Sequence, residues 1–272
     1  MSEQWRHNVL KKSEILGEIT EHSKISPSIY SMWIRTEHGK DASPGQFVSV
    51  YTDDPSMLLP RPISICEYRE DAIRIVYRTA GKGTETISHK KAGDPIRLLG
   101  ILGNGYAAAA GDALDHAEDI VLLGGGIGVP PLLGLAQYLK GKGKTVTAVM
   151  GYRDNNLFLE EEFRQCANLV IATEDGSVGI KGNVMDALKA EKIKSGIIFS
   201  CGPMPMLRAI KHYAVDENIL AYLSLEERMA CGVGACLGCV CTTTKEDHHS
   251  HVNLARVCTE GPVFEAREVE IG

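Results

Sequence analysis

Apolar runs and helical patterns alternate along the chain from residue 120 to residue 222. The run IVLLG at residues 120–124 is continuous, which is typical of a parallel strand that is buried on both faces. It leads through a glycine turn into a helix that ends at Gly141, and three further pairs of strand and helix follow. Repeated units of this kind predict a doubly wound parallel sheet with helices on both of its faces.

The first 100 residues have a different period, with short runs that alternate between apolar and polar side chains. DAIRIVYRT at residues 71–79 places Ile73, Ile75 and Tyr77 on one face, and SIYSMWIRT and QFVSVYT belong to the same set of short runs. Glycine and proline separate these runs, and only residues 84–93 have a helical pattern. The spacing therefore predicts a small antiparallel β-barrel.

These patterns divide the 272 residues into a barrel at 1–108, a parallel-sheet domain at 109–222 and a small C-terminal domain at 223–272. The sequence AAAAGDALDHAED at residues 107–119 is interpreted as the linker between the first two domains. The last domain is too short to carry a core of its own. We expect a bound metal centre and docking onto its neighbours to stabilise it.

Composition and charge argue against several classes of function. The net charge is −6 and the Lys and Arg residues are scattered, which is not the pattern of a protein that binds nucleic acid. The N-terminal residues lack the apolar region of a secretory signal, and no stretch approaches the ~18 apolar residues of a membrane span. We therefore expect a cytoplasmic protein, in which clustered thiols are metal ligands and not disulfides.

A glycine turn follows the first strand of the predicted sheet, where a phosphate site is expected. Gly124, Gly125, Gly126 and Gly128 allow the backbone to approach a pyrophosphate at the N-terminus of the next helix. The turn departs from the dinucleotide fingerprint because proline, at residues 130–131, replaces the third glycine, although proline suits a helix start. By itself the turn fits a nucleotide site and a tight strand-to-helix connection equally well.

Two further loops follow strands of the same sheet, at residues 175–177 and 201–203. Three loops at the carboxyl edge of an open sheet favour a nucleotide site, since ligands of such sheets bind there. No acidic residue directly ends the second strand and Arg153 would suit a 2'-phosphate, so these residues leave NAD and NADP open. Cys201 either lies near the nicotinamide or simply packs, and the residues favour neither role.

Two segments of the predicted barrel carry groups that suit a phosphate or a polar ring. The Arg61 guanidinium can donate two parallel hydrogen bonds to a phosphate, and Pro62 fixes the backbone direction of the chain. The Ser64 hydroxyl can hydrogen-bond the polar edge of a ring. Further along, Gly83 and Thr84 open a predicted helix and could hold another phosphate oxygen. Ordinary barrel surface, with solvated arginines and a glycine turn, explains the same residues equally well.

Four cysteines crowd the glycine-rich segment ACGVGACLGCVC at residues 230–241. Cys231, Cys236 and Cys239, with the distant Cys258, have the plant-type spacing of a 2Fe-2S site. Zinc is the main alternative, but structural zinc sites usually use two paired knuckles and this segment has one C-x2-C pair. If CVC is extended, its two cysteines point to opposite faces, and the spacing selects Cys239 and leaves Cys241 as a small buried residue.

Two polar segments near these cysteines have simpler interpretations. His248, His249 and His251 are interpreted as part of a solvated loop and not as a metal site. Ser224 and Glu227 form the pattern of a capping box, which predicts a short helix starting at Ser224. A role of Glu227 beside a cofactor is the weaker alternative.

Six segments, in this order, resemble the ferredoxin reductase type of flavoprotein: RPISI, YRTAGKGT, ILGNGY, LLGGGIGVPPL, EDGS and SCGPMPML. The C-terminal cysteines narrow the resemblance to the electron-transfer subunits of NAD-dependent, type B dihydroorotate dehydrogenases, and it covers essentially the whole chain. The resemblance implies that the barrel holds FAD and that the parallel-sheet domain holds NAD. The implied FAD contacts are Arg61, Pro62, Ile63, Ser64, Val76, Tyr77, Arg78, Gly83 and Thr84. The implied NAD contacts are Gly125, Gly126, Gly128 and Cys201, and the implied cluster ligands are Cys231, Cys236, Cys239 and Cys258.

The resemblance implies an enzyme subunit that passes electrons from an FMN-containing dihydroorotate dehydrogenase catalytic subunit through 2Fe-2S and FAD to NAD, in pyrimidine biosynthesis. A flavin suits the middle position because it exchanges a hydride with a nicotinamide and single electrons with an iron–sulfur centre. An FMN-bearing catalytic barrel alone needs about 250 residues, so a separate partner is expected. The resemblance implies a heterotetramer with two copies of each chain.

Two other functions fit the same residues. One is a subunit of another NAD(P)H-dependent iron–sulfur flavoprotein, of the sulfide dehydrogenase or ferredoxin:NADP transhydrogenase type. In that type a carboxylate can replace the first cluster ligand, so Cys231 favours the dihydroorotate interpretation. The other is a non-catalytic, zinc-stabilised nucleotide-binding module, which would be colourless and free of flavin.

Overall fold

The computed structural model describes residues 13–244, residue 246 and residues 252–271, and residues 14–102 form a closed antiparallel barrel. The barrel strands are Glu14–Ser26 (β1), Ile29–Arg35 (β2), Phe47–Val50 (β3), Arg61–Arg69 (β4), Ala72–Arg78 (β5) and Pro95–Leu102 (β6). They close in the order β1-β2-β5-β4-β3-β6, and each pair is antiparallel. The predicted barrel is confirmed.

Side chains alternate across the barrel wall with the period that the sequence predicts. On β5, Ile73, Ile75 and Tyr77 belong to the apolar core of the barrel, whereas Val76 belongs to the cluster that reaches the second domain. One helix, α1 (Lys82–Ser88), connects β5 to β6. It ends earlier than predicted because the following residues turn back towards β1, where the Gly93 N–H bonds a β1 carbonyl at 2.8 Å.

Residues 107–119 are more ordered than a plain linker. The segment forms two short helices, α2 (Tyr106–Ala110) and α3 (Asp112–Asp115). Tyr106 and Leu114 are buried in the apolar cluster of the second domain, and the Tyr106 hydroxyl donates a hydrogen bond to a sheet carbonyl at 3.3 Å. Alanine favours helix, and these two buried side chains anchor the helical turns, so this connection is fixed in place.

Residues 120–224 form a parallel sheet with helices between its strands. The elements are Ile120–Gly125 (β7), Val129–Gly141 (α4), Val146–Tyr152 (β8), Glu160–Cys166 (α5), Asn168–Thr173 (β9), Ile180–Lys181 (β10), Val184–Ala190 (α6), Ile197–Cys201 (β11), Met204–Asp216 (α7) and Leu220–Ser224 (β12). The parallel strands lie in the order β10-β9-β8-β7-β11-β12, which confirms the doubly wound prediction. The direction of winding changes between β7 and β11, which is where ligands of such sheets bind. None of the helices in the described part of the chain is long and apolar enough to span a membrane.

The C-terminal residues attach to this sheet and do not form a core of their own. β15 (Val263–Glu265) pairs antiparallel with β12 as a seventh, edge strand. β13 (Val240–Thr242) and β14 (Leu254–Arg256) form a separate antiparallel pair. Phe264 and Val257 pack in one buried cluster with residues of β7, β11 and the barrel strands β3 and β6. The segment is therefore stabilised by its neighbours, as its length predicts.

The helix predicted to start at Ser224 is not formed. Ser224 is the last residue of β12 and pairs with Val263 of β15, and residues 225–229 are neither helix nor strand. The Leu225 N–H continues the ladder with a hydrogen bond of 2.8 Å to the Pro262 carbonyl. The capping-box prediction is wrong because an edge strand takes the backbone groups that a helix start would have used.

One apolar cluster joins the barrel to the parallel-sheet domain. Ile29, Cys66 and Val76 of the barrel are buried in the same cluster as the α4 side chains. At Gly134 of α4, a Cβ atom would lie 2.5 Å from the Cys66 carbonyl oxygen on β4. Helix and strand backbones are therefore in direct contact, and only glycine fits between them.

Replacing Gly134 by alanine should separate the two domains, because its methyl group meets backbone that cannot move aside cheaply. We expect Gly134→Ala to lower the free energy of unfolding by about 1–3 kcal/mol, the usual cost of overpacking. Gly141→Ala is the matched control on the same helix, since its Cβ would meet no atom within 4 Å. The control should gain about 0.4–1 kcal/mol. Thermal unfolding measures both, and equal midpoints for the two variants would contradict the close approach.

Candidate functional site

The four predicted cluster ligands lie in the C-terminal segment. Cys236 donates its main-chain N–H to Sγ of Cys231 at 3.4 Å. Burial raises the pKa of Cys258, which lies close enough to Cys239 and Cys231 for their charges to raise it further. The Val257 N–H bonds the Cys239 carbonyl at 2.9 Å, which holds these two chain segments side by side. A 2Fe-2S cluster has two irons and four thiolates, and a structural zinc needs four ligands around one point.

Within residues 13–244, 246 and 252–271, no three His, Cys, Asp or Glu side chains converge closely enough to hold one metal ion. The choice between a two-iron cluster and a zinc ion therefore rests on the spacing of the four cysteines. His248, His249 and His251 lie outside the described residues.

The backbone of the loop is arranged around sulfur. The Sγ atom of Cys231 accepts three main-chain N–H bonds of 3.3 to 3.4 Å, from Val233, Ala235 and Cys236. Partial burial opposes ionisation of Cys231, but these donors outweigh it and lower its pKa to about 6. Gly232 and Gly234 have positive φ angles of 67° and 85°, which allow the N–H groups to face inward. Thiolate is the form of cysteine that ligates metals, so the loop favours the ligating form.

Cys258 and Cys241 have more apolar surroundings than Cys231. Cys258 is fully buried, and burial followed by its hydrogen bond to Cys239 raises its pKa to about 12. Cys241 lies on β13 opposite Ala255 and packs at the edge of the apolar cluster, where burial raises its pKa to about 11. Cys241 has no thiol hydrogen bond to a predicted ligand among its described contacts, and it is half-buried.

The cysteine loop packs against the barrel. The space beside Gly232 is bounded by Leu102 and Leu99 of β6 and by the Ser49 hydroxyl of β3. Asn104, from the ILGNGY segment, donates hydrogen bonds of 3.2 Å to the carbonyls of residues 259 and 260. The loop is thereby held at the barrel wall, close to the strands that carry the predicted flavin contacts.

Arg61 and Gly83 are in contact at the predicted FAD phosphate site. Arg61 starts β4, and its guanidinium lies against the Gly83 backbone at the start of α1, where a Cβ atom would overlap it. Arg61 also donates a hydrogen bond to the Leu59 carbonyl. The Thr84 hydroxyl is occupied, since it accepts from the Ala80 N–H at 2.9 Å and donates within its own turn. The absence of a side chain at Gly83 thus lets the guanidinium lie at the start of α1, where its charge suits a phosphate.

The other predicted FAD contacts divide between two faces of the barrel wall. Pro62 and Ser64 point outward on β4, while Ile63 points into the barrel core. Tyr77 also points inward, where its hydroxyl bonds the His22 ring at 2.9 Å and burial raises its pKa. Any contact from residues 63 and 77 to a flavin would therefore be made by the main chain.

The predicted NAD contacts lie at the carboxyl edge of the sheet and face the barrel. Gly126 has a φ of 53°, and a Cβ atom there would lie 3.3 Å from Nη2 of Arg78, at the end of β5. A Cβ atom on Gly128 would overlap the Cys201 carbonyl, so this glycine is required for the close approach of β7 and β11. Cys201 itself is 2% exposed, and burial raises the pKa of its thiol to about 12. Arg78 and the Gly126 turn therefore face each other across the boundary between the barrel and the sheet, and we term this region the cleft.

Glu226 belongs to this cleft, and the sequence pattern directed attention to its neighbour Glu227 instead. It follows β12, whose last residue stands in register with Cys201. Glu226 is exposed overall, yet surrounding atoms partly desolvate its carboxyl and raise its pKa, and the nearby charge of Arg78 opposes that shift. The signal that could have located it is its position two residues after a strand of the sheet, at the ligand edge.

The cysteine segment and the whole chain both match one family. Residues 226–270 match the family model described as the iron–sulfur cluster binding domain of dihydroorotate dehydrogenase B. A "dihydroorotate dehydrogenase B (NAD(+)), electron transfer subunit" of Geobacillus sp. (strain WCH70) is 41% identical over 256 residues, 92% of this chain and 96% of that protein. The chain belongs to this family of electron transfer subunits. A relative of the same description from Fusobacterium nucleatum is 39% identical over 262 residues, 93% of this chain and 97% of that protein.

Solved structures extend the likeness of these electron transfer subunits to the ferredoxin reductase fold. An NADH-dependent reduced ferredoxin-NADP oxidoreductase matches with a TM-score of 0.80 at 28% identity, over 93% of this chain and 89% of that chain. The ferredoxin reductase of a carbazole 1,9a-dioxygenase matches with a TM-score of 0.64 at 17% identity, over 76% of this chain and 66% of that chain, which shows the fold alone. The predicted fold class and family are confirmed. The family model describes an iron–sulfur domain, which favours that centre over the zinc-stabilised module.

Gly83→Ala tests the FAD phosphate site of this family member. The new methyl group would displace the Arg61 guanidinium, a flexible group, so the fold should survive while the cation moves away. Charge-assisted hydrogen bonds contribute about 1.5–3 kcal/mol, so flavin affinity should fall about 10- to 100-fold. Flavin content after purification and titration with FAD measure this. Thr86→Ala, later on α1, is the matched control, and equal affinity in both variants would contradict the role of Arg61.

Proposed function

We propose that this chain carries electrons between a dihydroorotate-oxidising catalytic subunit and NAD, with FAD and a 2Fe-2S cluster bound at the positions described above. The observation that carries the proposal is the placement of the cysteine loop. It lies against β3 and β6 of the barrel at Gly232, beside the wall whose strands β4 and β5 face the nucleotide domain. A flavin, when bound, joins the two-electron chemistry of a nicotinamide to the one-electron chemistry of an iron–sulfur centre.

We assign FAD, NAD and the 2Fe-2S cluster to separate sets of residues in this chain. For FAD we propose Arg61, Pro62, Ile63, Ser64, Val76, Tyr77, Arg78, Gly83 and Thr84. For NAD we propose Gly125, Gly126, Gly128 and Cys201, and for the cluster Cys231, Cys236, Cys239 and Cys258. NAD is the nucleotide in the printed names of the relatives. The corresponding domains are residues 1–108, 109–222 and 223–272.

The residues of this chain bind the cofactors, orient them and exclude water from them. The Gly126 turn leaves the cleft open to a dinucleotide, while Arg78 supplies a positive charge opposite it. The main-chain N–H groups around Cys231 stabilise negative charge on sulfur, which is how a protein adjusts the potential of such a centre. Transfer of a hydride between two bound cofactors needs no acid or base from the protein, so we propose no catalytic side chain.

The chemistry of dihydroorotate oxidation belongs to a second chain. The name "electron transfer subunit" implies a catalytic partner, and a (β/α)8 catalytic barrel alone takes about 250 residues. We assign that partner as an FMN-containing subunit, in a heterotetramer of two copies of each chain. The pathway is pyrimidine biosynthesis and the compartment is the cytoplasm, in keeping with eight cysteines that form no disulfide.

Leu237 marks the surface that meets the partner. It lies between two predicted cluster ligands, has a positive φ of 57°, and is 61% exposed. Cys236 beside it is also exposed, so this loop is where a cluster would be nearest the surface. Because Leu237 is next to a proposed cluster ligand at the surface, we place the contact with the electron-donating partner at this loop.

Leu237→Glu should weaken assembly with the catalytic subunit about 10-fold or more, because a carboxylate would be desolvated in the contact. The visible spectrum of the purified variant should be unchanged. Val215→Glu is the matched control, since Val215 is 46% exposed near the C-terminal end of α7, outside the cysteine loop. Titration of the labelled subunit with its partner measures both, and an equal loss of affinity in the two variants would refute the assignment of this surface.

The choice among the cysteines is tested by Cys258→Ser and Cys241→Ser. Cys258→Ser should lose the cluster and electron transfer from the partner, yet keep NADH oxidation by a small dye, because the flavin site is separate. Cys241→Ser should keep the cluster. Iron content, the visible spectrum and the dye assay after anaerobic purification distinguish them, and cluster loss in Cys241→Ser with retention in Cys258→Ser would sink the ligand assignment.

A further inference from the structure

A buried cation lies at the junction of the barrel and the parallel-sheet domain. The Arg74 side chain, on β5, is 11% exposed, and Glu67 on β4 is 15% exposed and forms an ion pair with it. Cys66, the neighbour of Glu67, is fully buried in the same junction. Neither the proposed cofactor sites nor the partner surface uses any of these three side chains.

The hydrogen bonds of Arg74 reach from the barrel into the second domain. Its Nε donates to the Ser31 hydroxyl on β2 at 2.8 Å, and Nη2 lies 3.5 Å from Glu162 on α5. Glu67 accepts a further bond of 2.7 Å from the Gln137 amide on α4. One guanidinium and one carboxylate therefore connect three barrel strands to two helices of the nucleotide domain.

Charged hydrogen bonds restrict orientation in a way that the surrounding apolar contacts do not. Burial of apolar surface is itself non-directional, and the close approach at Gly134 fixes the spacing of α4 and β4 more than their relative rotation. The planar fork of arginine, in contrast, has fixed donor directions. Leaving Glu67 buried without its cation is costly, which further restricts the junction to one arrangement.

Arg74 and Arg78 are on the same face of the same strand. Residues four apart in a strand share a face and are separated by about 13 Å. Arg78 ends β5 and its Nη2 faces Gly126 at the proposed nicotinamide cleft. A tilt of β5 at Arg74 would therefore change the position of Arg78 relative to the Gly126 turn.

We propose that Arg74 is a positioning residue that sets the orientation of the flavin barrel relative to the nucleotide domain, and with it the alignment of flavin and nicotinamide. The inference rests on the proposed function, since it assumes that the cleft between Arg78 and Gly126 is where the two rings meet. Arg74 touches neither cofactor. It acts through the fixed direction of β5.

The test uses the holoprotein and the variants Arg74→Met and Arg74→Lys. Arg74→Met keeps the length of the side chain and removes the charge. It should retain flavin and cluster spectra, while the rate of flavin reduction by NADH falls about 10- to 100-fold, because small misplacements of reacting groups have large effects on rate. The long-wavelength charge-transfer absorbance between flavin and nicotinamide, a signature of ring stacking, should weaken in parallel. Arg74→Lys should recover part of both signals, since lysine restores the charge without the fork.

A second readout does not depend on cofactor chemistry. The Cys66 thiol is fully buried, so its alkylation, followed by peptide mass spectrometry, reports opening of the junction. Labelling should be faster in Arg74→Met than in the wild type. Arg35→Met is the matched control, because its ion pair with Glu18 is on the same barrel but exposed to solvent. The control should show wild-type labelling, rate and absorbance.

Normal flavin reduction and normal charge-transfer absorbance in Arg74→Met would overturn the proposal. Should that variant fail to fold, Glu162→Gln decides the matter, since Glu162 is the outer and more exposed partner. It should show a smaller loss in the same direction, and wild-type values in both Glu162→Gln and Arg74→Lys would also overturn the proposal. Failure of the proposed function is distinct, because a wild-type protein without flavin or without NADH reactivity would reveal it.

Discussion

The packing of helix α4 against the barrel is the contact on which the rest of the structure depends. Gly134 brings the helix into backbone contact with β4, and the apolar cluster around Val76 and Cys66 continues from one domain into the other. Because this junction is close-packed, the end of β5 faces the glycine turn of β7 in one defined arrangement. The positions of the residues on the two sides of the cleft are therefore as fixed as those of a site inside one domain.

The C-terminal segment shows how a short piece of chain can hold a metal centre without a core. Its edge strand β15 extends the sheet, and the side chains of Val257 and Phe264 complete an apolar cluster that includes barrel residues. Gly232 then places the cysteine loop against β3 and β6. Attachment to both domains keeps that loop at a constant distance from the flavin barrel, which electron transfer requires of such a subunit.

Local sequence patterns predicted the helices and strands well where a hydrophobic pattern continued over a whole element. They failed where a strand distant in sequence pairs with the same backbone. The capping-box pattern at Ser224 is sound in itself, but β15 arrives from 40 residues further along the chain and takes the same backbone as an edge partner. Glu226 was missed for a related reason. Its importance arises from the arrival of Arg78 at the end of a barrel strand, and no spacing within residues 220–230 encodes that approach.

The sequence by itself determined the barrel, the doubly wound sheet, the family and the set of cysteines with ligand spacing, because periodicity and motif spacing are local properties. The tertiary structure alone decided which main-chain groups surround the Cys231 sulfur, which barrel side chains point inward, and where Arg74 joins the domains. These features depend on side chains from strands far apart in sequence. Their distances follow from sheet register and domain packing, which no short stretch of residues contains.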